Sequence, residues 1–122
     1  MKKKHIADCY KYTLQRLEEL GASYEEQKDN TEDFALWNLP NELAEDWCNM
    51  EYFIGVLYSN NCINGIVKSI LCDINNNFLK YSKGEPNYEI EIWTHEGLKK
   101  SNFWEMQRTL ARKALQLMKG VL

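Results

Sequence analysis

Apolar residues recur along this chain in several rhythms, and each rhythm predicts a different element. Over residues 5–20, Ile6, Cys9, Tyr10, Thr13, Leu14, Leu17 and Leu20 fall at three- and four-residue intervals. That spacing lines one face of an α-helix, and Gly21 suits a left-handed helix end. Residues 22–33 break the rhythm: they are polar and acidic, with Asp29-Asn30 as a turn signal. Phe34-Ala35-Leu36-Trp37-Asn38-Leu39 is apolar but short, and Pro40 follows it. A short strand or an extended tether is expected there. From Asn41 the helical rhythm resumes, with Leu43, Trp47, Met50, Ile54 and Leu57 at intervals of 4, 3, 4 and 3. Glu42, Glu45 and Asp46 lie in its first turns, where carboxylates complement the helix dipole.

Two later segments carry conflicting signals. Asn64-Gly65 between Ile63 and Ile66 is a hairpin dipeptide, because both residues accept a positive φ. Ile63, Ile66, Val67, Ile70, Leu71, Ile74 and Phe78 nevertheless keep helical spacing through it, and Ser59-Asn60-Asn61 would make a poor partner strand. A helix over about residues 62–75 is expected. Further on, Phe78 to Ser82 and Asn87 to Thr94 flank the turn composition Lys83-Gly84-Glu85-Pro86, and Tyr88 to Trp93 alternates with period two. This predicts a β-hairpin. Residues 102–119 form the last helix. Asn102 and Glu105 resemble a capping box, and Phe103, Met106, Leu110, Ala111, Ala114, Leu117 and Met118 form its apolar face before Gly120. The order is helix, short strand, helix, helix, hairpin, helix. It predicts a single α+β domain over residues 1–122, helix-rich, with about four helices packed on a small antiparallel β element; an all-α bundle is the alternative.

Composition bounds the class without sharpening it. A chain of 122 residues with 44% hydrophobic and 27% charged residues is one globular domain. The longest uncharged run, Tyr52 to Val67, contains Ser59, Asn60, Asn61 and Asn64, too polar for a bilayer. Met1-Lys2-Lys3-Lys4 resembles the start of a signal peptide, but His5, Asp8 and Lys11 interrupt it, so a cytoplasmic location is expected.

Charge adds more. Residues 18–51 hold eleven acids against Lys28 alone, while residues 1–17 and 98–122 are basic. Either the basic terminal helices neutralise the acidic middle, or the middle is a face for a basic partner.

No chemical constellation rises above its plain explanation. Cys9, Cys48, Cys62 and Cys72 have no paired zinc spacing, so reduced core thiols are expected and no metal or cofactor is called for. His95 beside Glu96 could act as a general base, but no nucleophile motif accompanies it, and a surface loop histidine is the plainer expectation. The acids Glu42, Glu45 and Asp46 have no matching carboxylate or histidine pair on a later helix. Arg108 and Arg112, one turn apart, form a candidate anion clamp within a basic stripe that includes Lys99, Lys100, Lys113 and Lys119. Among the aromatics, Trp47, Phe78 and Phe103 fall on core faces. Tyr24, Trp37, Tyr52, Trp93 and Trp104 are candidate exposed anchors.

These features point to a small non-catalytic intracellular protein-binding domain of inhibitor, antitoxin, immunity, phage counter-defence or adaptor type. It would meet a basic protein through Glu25, Glu26, Glu32, Asp33 and Trp37. One alternative is a small-ligand binder or enzyme whose anion-contacting pocket uses His95, Arg108 and Arg112. A second is a nucleic-acid binder through the last helix, which the net charge of −3 disfavours.

Overall fold

The computed structural model describes residues 2–31, 36 and 38–120, and every regular element among them is helical. Helix α1 spans Lys3–Gly21, α2 Tyr24–Asp29, α3 Leu39–Glu45, α4 Met50–Ser59, α5 Gly65–Lys80, α6 His95–Lys100 and α7 Asn102–Lys119, with a 3₁₀ turn at Ile90–Trp93 before α6. Helix α7 packs on α1 and α5, and α4 packs on the same two, so four helices close into a ring around one core. A smaller layer of α3, the 3₁₀ turn and α6 covers one side.

The antiparallel β element is the main correction: the fold is all-helical, not α+β. Phe78 continues the buried stripe of Val67, Ile70, Leu71 and Ile74, so helix α5 runs on to Lys80 and absorbs the first arm of the expected hairpin. The alternating second arm has no strand to pair with. Indoles tie it down instead: Trp104 Nε1 donates to its Ile92 carbonyl at 2.7 Å, and its own Trp93 Nε1 donates to the Tyr81 carbonyl at 3.1 Å. The alternation does not survive even as burial: Ile90 and Ile92 would share one face of a strand, yet Ile92 is inside and Ile90 outside. The short strand expected over Phe34–Leu39 is not formed at its end, where Leu39 opens α3 with Pro40 in the first turn, a position that needs no amide hydrogen. Phe34, Ala35 and Trp37 lie outside the described residues.

Local chemistry explains the other boundaries. The hairpin dipeptide at residues 64–65 is a helix start: Asn64 Oδ1 accepts from the Val67 amide at 2.9 Å, and α5 begins at Gly65. Ile66 then points outward, unlike its neighbours Ile63 and Val67. The face of Leu43, Trp47, Met50, Ile54 and Leu57 is buried as its spacing implies, but it belongs to two helices. A tight turn between Glu45 and Met50, closed by three-residue amide bonds such as Cys48 N to Glu45 O, keeps the face in phase.

Gly21 does not end α1 in a left-handed turn, because Ala22 after it is extended. It is a glycine because α7 lies against it, and an added Cβ would stand 3.2 Å from Arg112 Cγ. Gly120 does end α7 left-handed, at φ 70°. The buried face of α7 is rotated from the expected one. Phe103, Ala111 and Ala114 are inside, joined by Trp104, Gln107 and Arg108, while Met106 is exposed.

Candidate functional site

The acidic segment spreads over four helices and the turns between them. After α1 closes, Ser23 and Glu26 form a capping box: Glu26 N donates to Ser23 Oγ at 3.2 Å, and Ser23 N to Glu26 Oε1 at 3.1 Å. This box is a sequence signal that the reading of residues 22–33 as loop passed over. It makes α2 a short helix whose outer face carries exposed Glu25 and Glu26. The amide bond from Ser23 holds the Glu26 carboxyl below its ordinary value, and the charge of Arg112 adds to this. Of the proposed partner-binding residues, Glu25 and Glu26 therefore share one exposed turn. Glu32, Asp33 and Trp37 lie outside the described residues.

Among the described residues, two ion pairs join a basic end to the acidic middle: Lys119 Nζ to Glu18 at 3.3 Å, between helices, and Arg16 to Glu19 within α1. The remaining pairs, Lys100–Glu96 and Arg108–Glu105, lie outside the acidic segment, each within one helix. Glu19 and Asp46 come together where α1 meets the turn after α3, with Arg16 beside both. Partial removal from water raises both carboxyls above their ordinary values, Arg16 opposes this, and for Glu19 the nearby Asp46 charge adds to the rise. Arg16 also lies over the Tyr12 ring, 4.7 Å from its centre, and Tyr12 Oη donates to the Asp46 carbonyl at 3.0 Å.

The two arginines proposed as an anion clamp are engaged with the fold. Arg108 is 3% exposed, and its Nη2 donates to Gln27 Oε1 at 2.9 Å and to the Leu98 carbonyl at 2.6 Å. Arg112 reaches across to the last carbonyl of α1, with Nε donating to Gly21 O at 2.7 Å. A cation there satisfies an orphan helix-end acceptor and favours the negative end of the dipole. His95 is half-buried and not on a loop; it opens α6, with Nε2 against the Leu36 carbonyl. An unanticipated cluster joins His5 to Tyr52 Oη at 2.8 Å and to Cys9 Sγ at 3.6 Å. Of the four cysteines expected in the core, only Cys9 is fully buried. Cys62 and Cys72 are half-buried, and Cys48 in the α3–α4 turn is exposed. Among the described residues, no three His, Cys, Asp or Glu side chains gather as metal ligands, and no helix is long and apolar enough to cross a membrane.

Among the described residues, two clefts open on the acidic segment, one of about 620 Å³ beside Glu18, Glu19 and Glu26 and one of about 650 Å³ that is aromatic. Trp47 and Phe78, 6.2 Å apart between ring centres, form the floor of the aromatic cleft together with Trp93. Beneath them Phe103 and Trp104 continue a single aromatic cluster: Trp93 meets Trp104 edge-on at 5.8 Å, and Phe78 meets Phe103 at 5.8 Å. Trp104, expected as a candidate surface anchor, is fully buried at its centre. Glu45, Cys48 and Glu51 stand on the α3–α4 wall, Leu79 and Asn75 on the α5 wall, and Lys83, Tyr88 and Ile90 on the connecting loop. No sequence signal named this cleft, because its residues come from α3, α4, α5, the 3₁₀ turn and the segments between them, which only the tertiary fold brings together.

Comparison of the chain with protein-family models, with curated proteins and with solved structures found no match.

Proposed function

We propose that this protein is a non-catalytic binding module that meets a basic protein partner on the face built from residues 18–51. The observation that carries this reading is the charge run: eleven acids share this segment with Lys28 alone. Among described side chains, two of them meet a cation from a basic end of the chain, Glu18 through Lys119 and Glu19 through Arg16. A concentrated field of one sign raises the association rate with an oppositely charged partner and selects against like-charged ones. The anion-binding and nucleic-acid alternatives have less support, since Arg108 and Arg112 donate to internal acceptors.

The test is affinity capture from the native host with the wild-type chain and with a variant carrying Glu25→Lys, Glu26→Lys, Glu32→Lys and Asp33→Lys. Circular dichroism verifies that both are folded. A basic protein retained by the wild type, released by salt and missed by the variant supports the reading. Equal capture by both forms overturns it.

A further inference from the structure

The cleft above the aromatic cluster has the composition of an anchor site. Trp47 and Phe78 are 1% and 5% exposed, so they are fixed by packing and support the floor from below, while half-buried Trp93 offers aromatic surface to the cleft. At the rim the pattern inverts. Leu79 and Ile90 are 58% and 63% exposed, although nearly every other aliphatic side chain of their size is at least partly covered. Large apolar residues flanking a preformed aromatic floor are the usual construction of a binding hot spot. Opposite them, the α3–α4 wall carries Glu45 and Glu51, both exposed. Lys83 stands across from them on the loop wall. The site thus offers apolar contact at its base and two carboxylates on one side.

We propose that this cleft receives a short segment of the basic partner. One large apolar side chain of the segment would rest against Trp93, Leu79 and Ile90, and a neighbouring Lys or Arg would lie along the wall of Glu45 and Glu51. The proposal rests on the basic-partner reading and deepens it. A cleft of about 650 Å³ is within the range that buries a ligand well. Its exposed rim of Leu79 and Ile90 extends the apolar surface outward, which suits a chain passing over the cleft. Lys and Arg match the α3–α4 wall because their aliphatic stems lie on apolar surface while their charged ends reach carboxylates. Burying an apolar anchor supplies affinity, and the charge pairing fixes which way the segment lies.

The experiment uses a random twelve-residue peptide display library panned on the full chain, with selected peptides then synthesised and titrated. Three folded variants are compared: Leu79→Ser with Ile90→Ser, Glu45→Lys with Glu51→Lys, and Glu25→Lys with Glu26→Lys. A second readout is alkylation of Cys48, the exposed thiol on the cleft wall, followed by peptide mapping. Supporting results are enrichment of peptides that pair a large apolar residue with nearby Lys or Arg, and slowed Cys48 alkylation when they bind. Affinity should fall at least about tenfold for each cleft variant, a change of roughly 1.4 kcal/mol. Peptides that are basic but lack the apolar residue, and that depend on Glu25 and Glu26 alone, overturn the cleft assignment and leave the acidic face standing. Enrichment without any basic preference overturns both. No enrichment, or unchanged Cys48 reactivity, overturns the cleft assignment.

Discussion

Gly97, third in helix α6, separates a packing account of this fold from one based on helix propensity. Propensity alone says that alanine at a helical position is better than glycine by about 1 kcal/mol. Packing says the opposite here. A Cβ at Gly97 would sit on the Glu91 carbonyl, 2.8 Å from its carbon and 3.0 Å from Ile92 Cα. Those atoms are backbone, so no rotamer change relieves the overlap; the 3₁₀ turn and α6 must part. Overpacking of this kind costs about 1–3 kcal/mol. The separation also strains the bonds that join the two elements. Thr94 Oγ1 accepts from Gly97 N at 2.9 Å and donates to Glu91 O at 2.8 Å, and the Trp104 indole is bound to Ile92 O. With the two Thr94 bonds lost at about 1 kcal/mol each, the total for Gly97→Ala is about 3–5 kcal/mol. For 122 residues, this lowers Tm by about 10–20 °C, given an unfolding entropy of about 2.1 cal/mol/K per residue. The control is Gly55→Ala in α4, where an added Cβ meets nothing within 4 Å. That change should stabilise by about 0.5–1 kcal/mol. Thermal and urea unfolding followed by circular dichroism measure both. A Gly97→Ala protein as stable as wild type would refute the close approach of α6 to the 3₁₀ turn.

Other substitutions test the remaining contacts. Ile70→Ala should destabilise by about 2–5 kcal/mol and Trp47→Ala by about 3–5 kcal/mol, read as urea midpoints at constant slope. Both side chains are buried on helical faces. Arg108→Leu should cost about 2–4 kcal/mol, because it strands Gln27 Oε1 and the Leu98 carbonyl inside the fold. Since Glu19 and Asp46 bind protons more tightly folded than unfolded, their contribution is present below the unfolded carboxylate value, about 4, and fades as pH rises through the folded value. Asp46→Asn should therefore raise Tm at neutral pH and change it little under acid conditions; a lower Tm at neutral pH would contradict the carboxyl pairing. In native alkylation followed by mass spectrometry, Cys48 should react first and Cys9 last, since burial and nearby Asp8 push the Cys9 thiol up.

Helical periodicity carried most of the fold. The stripes Cys9–Thr13–Leu17–Leu20 and Val67–Ile70–Leu71–Ile74–Phe78 are buried as their spacing implies, because an amphipathic helix has one way to hide its face. The failures have physical causes. Tyr88 to Trp93 alternates like a strand, yet alternation needs a partner ladder, and the would-be partner was already part of α5. Its Ile92 carbonyl accepts from the Trp104 indole and its Trp93 indole donates to the Tyr81 carbonyl, a long-range solution that local pattern does not encode. On α7, residue type and spacing place Arg108 in a basic stripe and leave Gln107 off the expected apolar face. They are buried because Gln27, Leu98 and Ile74 supply acceptors for their donors. The same pairing engages Arg108, one of the two arginines of the candidate anion clamp, inside the fold. The acidic segment itself was legible as a charge run, whereas the aromatic cleft opening on it was not.

The claim at the centre of this account is that charge on the face of residues 18–51 drives encounter with a basic protein. The most direct measurement is the association rate of the captured partner by stopped flow, across a salt series, for wild type and the variant reversed at Glu25, Glu26, Glu32 and Asp33. The account expects a wild-type rate that falls steeply with salt, and a variant rate lower by at least about tenfold at low salt, with dissociation changed far less. An association rate that ignores both salt and the four reversals would contradict it.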